Sequence, residues 1–209
     1  MVAGCADVSP QDAGYYVVKP QDTLYSIAWR HGLDYQDVAR WNHLGPSYRI
    51  FIGQTLTLHG AATVHSAPAA PAHAPAAVAP VKPSAAPQVA SALKWSWPTD
   101  RTGLPQRVPG GGILLSGRLG QDIRAACAGR VVYVGDGIRG YGNLIIVKHA
   151  ENLLSAYAHN RDVTVHESDE VLLGQVIGHM GEGAPGKSVL YFEIRRNGKP
   201  VDALPFLPQ

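Results

Sequence analysis

Nine histidines are the side chains of this chain best suited to metal or acid–base chemistry, because a neutral imidazole offers a lone pair near pH 7. A zinc-activated water needs three protein ligands and one open position. No two of the nine histidines are separated by a single residue, and none lies between His73 and His149. A site assembled from His149, His159, His166 and His179 would have spacings that match no ligand motif, and scattered histidines are more often satisfied surface or core groups. No metal or other cofactor is expected. Cys5 and Cys127 are too few and too isolated for a disulfide framework or a cysteine zinc site. A second chemistry is written in the run from Val189 to Arg195. A strand sends residues two apart to one face, so Val189, Tyr191, Glu193 and Arg195 share a face while Leu190, Phe192 and Ile194 point to the core. Tyrosine and arginine are enriched at binding hot spots, which makes that face, with Tyr141, Tyr157 and His159, a candidate recognition groove. The alternative for each tyrosine is a half-buried packing group.

The elements that must position these residues are mostly strands. Beyond Gly129 the pattern predicts strands over Arg130–Val134, Leu144–Lys148, Leu154–Ala158, Val163–His166 and Leu190–Arg195, with glycines in nearly every gap. This argues for an antiparallel β domain over 94–209. Trp95 and Trp97 are apolar anchors expected to pack on it. Ahead of it, 14 of the chain's 27 alanines fall between Ala61 and Leu93, with six prolines, one charge and no aromatic residue. That stretch buries too little apolar surface to order itself, so 60–93 is read as a disordered linker. Residues 15–59 form a second small module. Tyr15–Val18 is β-prone, Gln21-Asp22-Thr23 supplies turn and capping groups before Leu24, Ile27 and Ala28, and Leu33 can staple onto Val38 across an Asp34 cap. Thr55–Leu58 then alternates as a strand, giving an α+β order of βααβ. The charge balance is quiet: 18 Lys plus Arg against 16 Asp plus Glu, a net of +2, with no basic run. Nucleic acid is therefore not an expected partner, and the apolar run Leu144–Val147 is far too short to span a bilayer.

Two resemblances follow. Val17 to Ala28, Asn42 and Ile52-Gly53-Gln54-Thr55-Leu56 resemble a LysM domain. The resemblance implies binding of N-acetylglucosamine-containing chains such as peptidoglycan, with Asp22, Thr23, Leu24, Asn42 and Ile50 near the sugar. Gln21 stands where that family usually has glycine, and a side chain there would strain the loop. Ala128-Gly129-Arg130-Val131-Val132, Gly140-Tyr141-Gly142-Asn143, Ala156-Tyr157-Ala158-His159, Gly174 to Gly178 and Phe192 to Arg195 resemble, in order, the LytM-type or lysostaphin-like zinc peptidases of family M23. An active member holds zinc with a His-x-x-x-Asp element and the second histidine of a His-x-His element. The first element would fall near Gly110 and Leu114. The second becomes Val189, Leu190 and Tyr191. Of that polar site only His159 survives, so the resemblance implies a degenerate, non-catalytic domain.

Val2-Ala3-Gly4-Cys5 resembles a bacterial lipobox, which implies lipidation of Cys5 within an N-terminal segment, 1–14. Ala6 in the place of an aspartate favours the outer membrane. Lipobox, LysM, Ala/Pro linker and degenerate LytM domain together resemble the NlpD and EnvC family of division proteins. That resemblance implies a wall-binding activator of periplasmic N-acetylmuramoyl-L-alanine amidases in septal peptidoglycan splitting and daughter-cell separation, lipid-anchored at the periplasmic side of the outer membrane of a Gram-negative bacterium. Tyr191 and Arg195 would then be central to the amidase contact. A linker of this length would reach roughly 100 Å if it is polyproline-like. Two alternatives are a zinc-dependent peptidoglycan endopeptidase and a structural wall-binding lipoprotein with no amidase partner.

Overall fold

Thr23 starts the first helix. In the computed structural model of the protein its hydroxyl oxygen accepts from the Ser26 backbone N–H at 3.1 Å, while the Ser26 hydroxyl oxygen accepts from the Thr23 N–H at 3.0 Å. The helix, α1 (Leu24–His31), stops at Gly32, whose φ of 63° is left-handed. Asp34 then accepts from the Gln36 N–H at 2.8 Å and opens α2 (Tyr35–Trp41). Strands β1 (Tyr15–Val17) and β2 (Thr55–Thr57) pair antiparallel with Tyr16 opposite Leu56, which completes the βααβ order. Gln21 sits at φ 67°, the left-handed conformation that glycine adopts without strain. The described residues are 14–59, 93–150, 152–184 and 186–208; Cys5 and the Ala/Pro stretch 60–92 lie outside them.

The second part is antiparallel throughout. It runs β3 (Gln106–Arg107), β4 (Ile113–Ser116), β5 (Asp122–Arg124), β6 (Gly129–Gly135), β7 (Asn143–Lys148), β8 (Leu153–Val163), β9 (Glu170–Val171), β10 (Val176–Met180), β11 (Glu182–Ala184), β12 (Lys187–Arg196) and β13 (Lys199–Val201). The main order across the sheet is β3-β4-β12-β8-β7-β6-β9, with β10 joining β8 to β5. The separate strands expected at Leu154–Ala158 and Val163–His166 are one strand, β8, and Thr164 to His166 lie beyond its end. The chain carries the strand onward through a bulge at His159 (φ 65°), after which Asn160, Asp162 and Val163 pair with β10. Strands β4 and β5 lie between glycines in a stretch that shows no extended alternation, which is why the sequence pattern does not announce them.

Both faces of this sheet are buried. On one, Val131, Ile145, Val147, Tyr157, Leu190, Phe192 and Ile194 pack with Ile123, Ile177 and Met180, closed by Trp95 and Trp97 as expected of those anchors. On the other, Val132, Leu144, Ile146, Leu154, Ala156 and Ala158 form one continuous cluster with Leu24, Ile27, Trp29 and Tyr35 of the first module. Leu144, Ile145, Ile146 and Val147 are therefore all fully buried, and the run is apolar without alternation because neither face meets water.

His149 at the end of β7 is an internal pH sensor for stability. Its Nδ1–H donates to the Ala128 carbonyl at 2.8 Å and its Nε2 lies 2.7 Å from the Ser155 hydroxyl, with the Trp95 ring edge-on at 5.0 Å. Burial lowers its pKa from the usual 6.5 to about 4. Above pH 6.5 the folded and unfolded forms are both neutral at this site. Below it, the unfolded chain takes up a proton that the folded chain refuses until about pH 4. Stability is expected to fall by about 3 kcal/mol as pH drops through that window. Urea midpoints at pH 7 and 4.5 measure this, and an equally steep decline in His149→Gln would assign the loss to other groups.

Candidate functional site

Strand β12 presents Val189, Tyr191, Glu193 and Arg195 on one face, in the register that pairs Tyr191 with Leu114 of β4 and with Ala158 of β8. The Tyr191 phenol donates to Glu193 Oε2 at 2.5 Å, and the Tyr141 hydroxyl approaches the same oxygen at 3.4 Å. Arg195 Nε donates to Glu193 Oε1 at 2.6 Å. The Tyr141 and Tyr191 rings meet edge to face at 5.5 Å, and His159 lies 6.4 Å from Tyr191. Burial, then the neighbouring Glu193, hold the Tyr191 phenol neutral, well above its usual range, and burial keeps His159 below its own. Tyr141, Tyr191, Glu193 and Arg195 are thus gathered into one hydrogen-bonded network, with Val189 and His159 beside it, converging over Gly183. Tyr157 is the exception. It sits fully buried on the opposite face of the sheet, accepting from the Ala126 N–H at 2.8 Å and lying 2.9 Å from the Ser155 hydroxyl. Odd-numbered residues of β8 face the other core there, and the bulge at His159 is what turns the histidine to the groove side.

A zinc ion does not fit this donor set. Leu114 and Val189 have no lone pair, Gly110 offers no side chain, and the Tyr191 ring fills the space above Gly112, where an added Cβ would lie 2.5 Å from the phenol. His149 is satisfied in the core, His179 is paired with Asp162, and His166 is on an exposed turn beside Asp169. Among the described residues no group of three His, Cys, Asp or Glu side chains is placed to hold a metal ion.

The groove also has an occupant. Trp29 of α1 is 3% exposed, its ring roughly perpendicular to that of Tyr141 with centroids 6.4 Å apart and its face 3.6 Å from the Arg195 guanidinium. Arg195 donates to the Trp29 carbonyl at 2.7 Å, and Lys199 donates to the Gly32 carbonyl at 3.0 Å. The tight Asn197-Gly198 turn between β12 and β13 approaches Leu33 so closely that a Cβ at Gly198 would lie 2.3 Å from its backbone. Gln36 and Asn152 exchange amide hydrogen bonds at 2.8 and 3.2 Å, and Lys148 lies 5.1 to 5.9 Å from the rings of Tyr25, Tyr35 and Tyr48. Trp29 is the contributor that the sequence reading missed. Its signal is a large aromatic beside Arg30 on the side of α1 that the module's own core does not use.

A second concavity, of about 710 Å³, opens between the parts. Residues Asp22 to Tyr25 and Pro46 to Ile50 form one wall; Arg130, Lys148, Glu167 and Ser168 are on the other. Four of the five residues expected near sugar, Asp22, Thr23, Leu24 and Ile50, line it. Their roles differ. The Asp22 carboxylate is turned inward, accepting from the Lys19 N–H at 2.9 Å, the Tyr16 hydroxyl at 2.8 Å and Arg30 at 3.0 Å. Thr23 caps α1, Leu24 is core, and Ile50 is half-buried. Asn42 lies away from the cleft and ties α2 to β2, donating to the Val38 and Thr57 carbonyls and accepting from the Thr57 N–H at 2.6 Å. Arg130, Lys148 and Glu167 could not be found by reading the first module alone, since they come from 106 or more residues downstream of Leu24.

The family model "LysM domain" matches residues 16–58 and the model "Peptidase family M23" matches 109–203. The chain is 39% identical to a Pseudomonas aeruginosa "Lipoprotein NlpD/LppB homolog" over 96% of its own length and 79% of the relative's. It belongs to the NlpD/LppB lipoprotein family. The Escherichia coli K12 relative, "Murein hydrolase activator NlpD", is 35% identical over 93% of this chain and 68% of its own length. A putative peptidase M23 of known structure from Pseudomonas aeruginosa aligns with a TM-score of 0.51 at 25% identity, covering 57% of this chain and 53% of that one. In this NlpD/LppB family member, then, an M23-type sheet carries a tyrosine, a glutamate and an arginine along the strand face on which the peptidase resemblance would place zinc ligands.

Proposed function

We propose that this protein is a non-catalytic activator of periplasmic N-acetylmuramoyl-L-alanine amidases, bound to peptidoglycan through its LysM module and acting in septal wall splitting and daughter-cell separation. The observation that carries this reading is the Tyr191–Glu193–Arg195 network, on the strand face where the peptidase resemblance would put metal ligands: its groups bond to one another and supply no zinc ligand set for activating a water. Family membership among relatives named murein hydrolase activators supports the same reading. The groove acts by population shift, holding an autoinhibitory element of the amidase more tightly when that element has left the amidase's own site than when it is in place. The cleft beside Asp22 to Tyr25 takes the glycan, with Lys148, and Arg130 in exchange for its ion pair with Glu170, meeting the carboxylates of its peptide stems. Lipidation of Cys5 anchors the chain at the periplasmic side of the outer membrane.

The test is dye release from labelled sacculi by the purified protein alone, by amidase alone and by the two together, with a zinc determination on the protein. Release above the amidase baseline only in the mixture, from protein free of zinc, is the expected result. Release by the protein alone with stoichiometric metal would replace this reading with that of an endopeptidase.

A further inference from the structure

The groove on β12 is built to receive the C-terminal end of a helix, and α1 of the same chain is in it. Carbonyls at a helix C-terminus lack intrahelical donors and carry the negative end of the macrodipole, so cations are favoured there. Arg195 and Lys199 supply two, on the Trp29 and Gly32 carbonyls, and the Trp29 ring lies on the Arg195 guanidinium and roughly perpendicular to the Tyr141 ring. The fit is specific in its contacts but incomplete: among the described residues, the buried Trp29 Nε1–H finds no acceptor. An occupant that leaves a buried donor unpaired is one that a better-matched helix can displace.

We propose that the LysM helix α1 masks the groove in cis, and that the surface fits a partner helix of the same description, one ending in free carbonyls with an aromatic side chain in its last turns. This rests on the reading of the groove as the amidase-binding surface and adds its regulation: the activator is closed until its LysM module is drawn off, and the amidase competes with α1 for Arg195, Lys199 and Tyr141. Two observations make the mask more than contact between neighbours. The residues that the LysM module covers are the ones a partner would need, since Glu193 is 1% and Arg195 8% exposed. The modules are also clasped at one end of the groove, by Gln36 with Asn152 and by the adjoining Gly198 turn against Leu33. If the open form is about a tenth of the molecules, the apparent affinity for partner is reduced about tenfold.

The experiment uses the full chain with Cys5→Ser. Gln36→Cys and Asn152→Cys are introduced together and joined by a short bis-maleimide, and Trp29→Ala is made separately. Amidase-dependent dye release is titrated for each, and hydrogen exchange is followed over residues 138–142 and 190–196. The cross-linked protein is expected to lose activation relative to the same variant before cross-linking. Trp29→Ala should reach half-maximal activation at about one-tenth of the wild-type concentration and exchange faster over both segments. Cross-linked protein that activates as well as its unlinked form overturns the mask while leaving the activation reading intact. If no form activates an amidase, the activation reading fails, and the exchange data still judge the mask: equal protection in wild type and Trp29→Ala overturns it.

Discussion

Arg195→Glu is expected to abolish amidase activation and to lower the unfolding free energy of the C-terminal part by about 3–5 kcal/mol, the cost of breaking a buried pair from one side. Glu193 is 1% exposed and Arg195 is its charged partner at 2.6 Å, so the substitution would bury two carboxylates side by side. Loss of activation in a damaged fold proves little, and the pair offers a cleaner variant. Glu193→Gln with Arg195→Met removes both charges and keeps the volume, which for buried pairs is often close to neutral in stability. This double variant should melt within a few degrees of wild type and still fail to activate, because it lacks the guanidinium proposed to receive a partner's helix carbonyls. Normal activation by the double variant would remove Arg195 from the proposed contact. Retention on sacculi should be unchanged in both, since glycan binding is assigned to the cleft beside Asp22 to Tyr25.

Asp22→Ala should have the second largest effect, and on the opposite activity. One carboxylate holds three donors: the Lys19 N–H, the Tyr16 hydroxyl and Arg30. Its side chain is 6% exposed, so water cannot take its place, and removal leaves Arg30 and the Tyr16 hydroxyl without their acceptor. A loss of about 3 kcal/mol is expected, a large part of the stability that so short a module can have. Pull-down on sacculi should fall sharply, with the circular-dichroism melt of the full chain showing an early transition. Asp22→Asn, which keeps an acceptor oxygen for the Lys19 N–H and the Tyr16 hydroxyl, should restore most of both. A glycan contact made by the Asp22 carboxylate itself would instead leave Asp22→Asn as defective as Asp22→Ala while the melt returned to normal.

Much of the fold is legible residue by residue because its signals are local. The Thr23 and Asp34 caps and the alternation of Leu190, Phe192 and Ile194 each depend on neighbours within a few positions, and each is found where the pattern puts it. The groove residues of β12 follow from the same alternation. What the pattern could not supply is the direction in which tertiary partners turn a side chain. Tyr157 looks like a groove residue until the bulge at His159 shows which side of β8 faces outward. Asp22 and Asn42 look like ligand groups, yet both are turned into their own module, Asp22 by Tyr16 and Arg30 and Asn42 by Thr57 of β2. The unbroken apolar run Leu144–Val147 did carry a signal, that of a strand covered on both faces, but one run cannot say what the second cover is.

That double cover imposes an order on the birth of the molecule. The face formed by Leu144, Ile146, Leu154, Ala156 and Ala158 is covered by residues of α1 and α2, which are made first. β12, which bridges β4 and β8 at the centre of the sheet, is almost the last strand to appear. A chain emerging N-terminus first therefore presents a finished lid before the apolar surface beneath it exists, and 102 residues lie between Trp41 at the end of the lid and Leu144 at the start of its seat. The sheet need never wait uncovered, which is when unpaired edges and bare apolar faces aggregate. An order-reversed chain, with residues 93–209 placed ahead of 14–59, would have the same contacts and lose that protection.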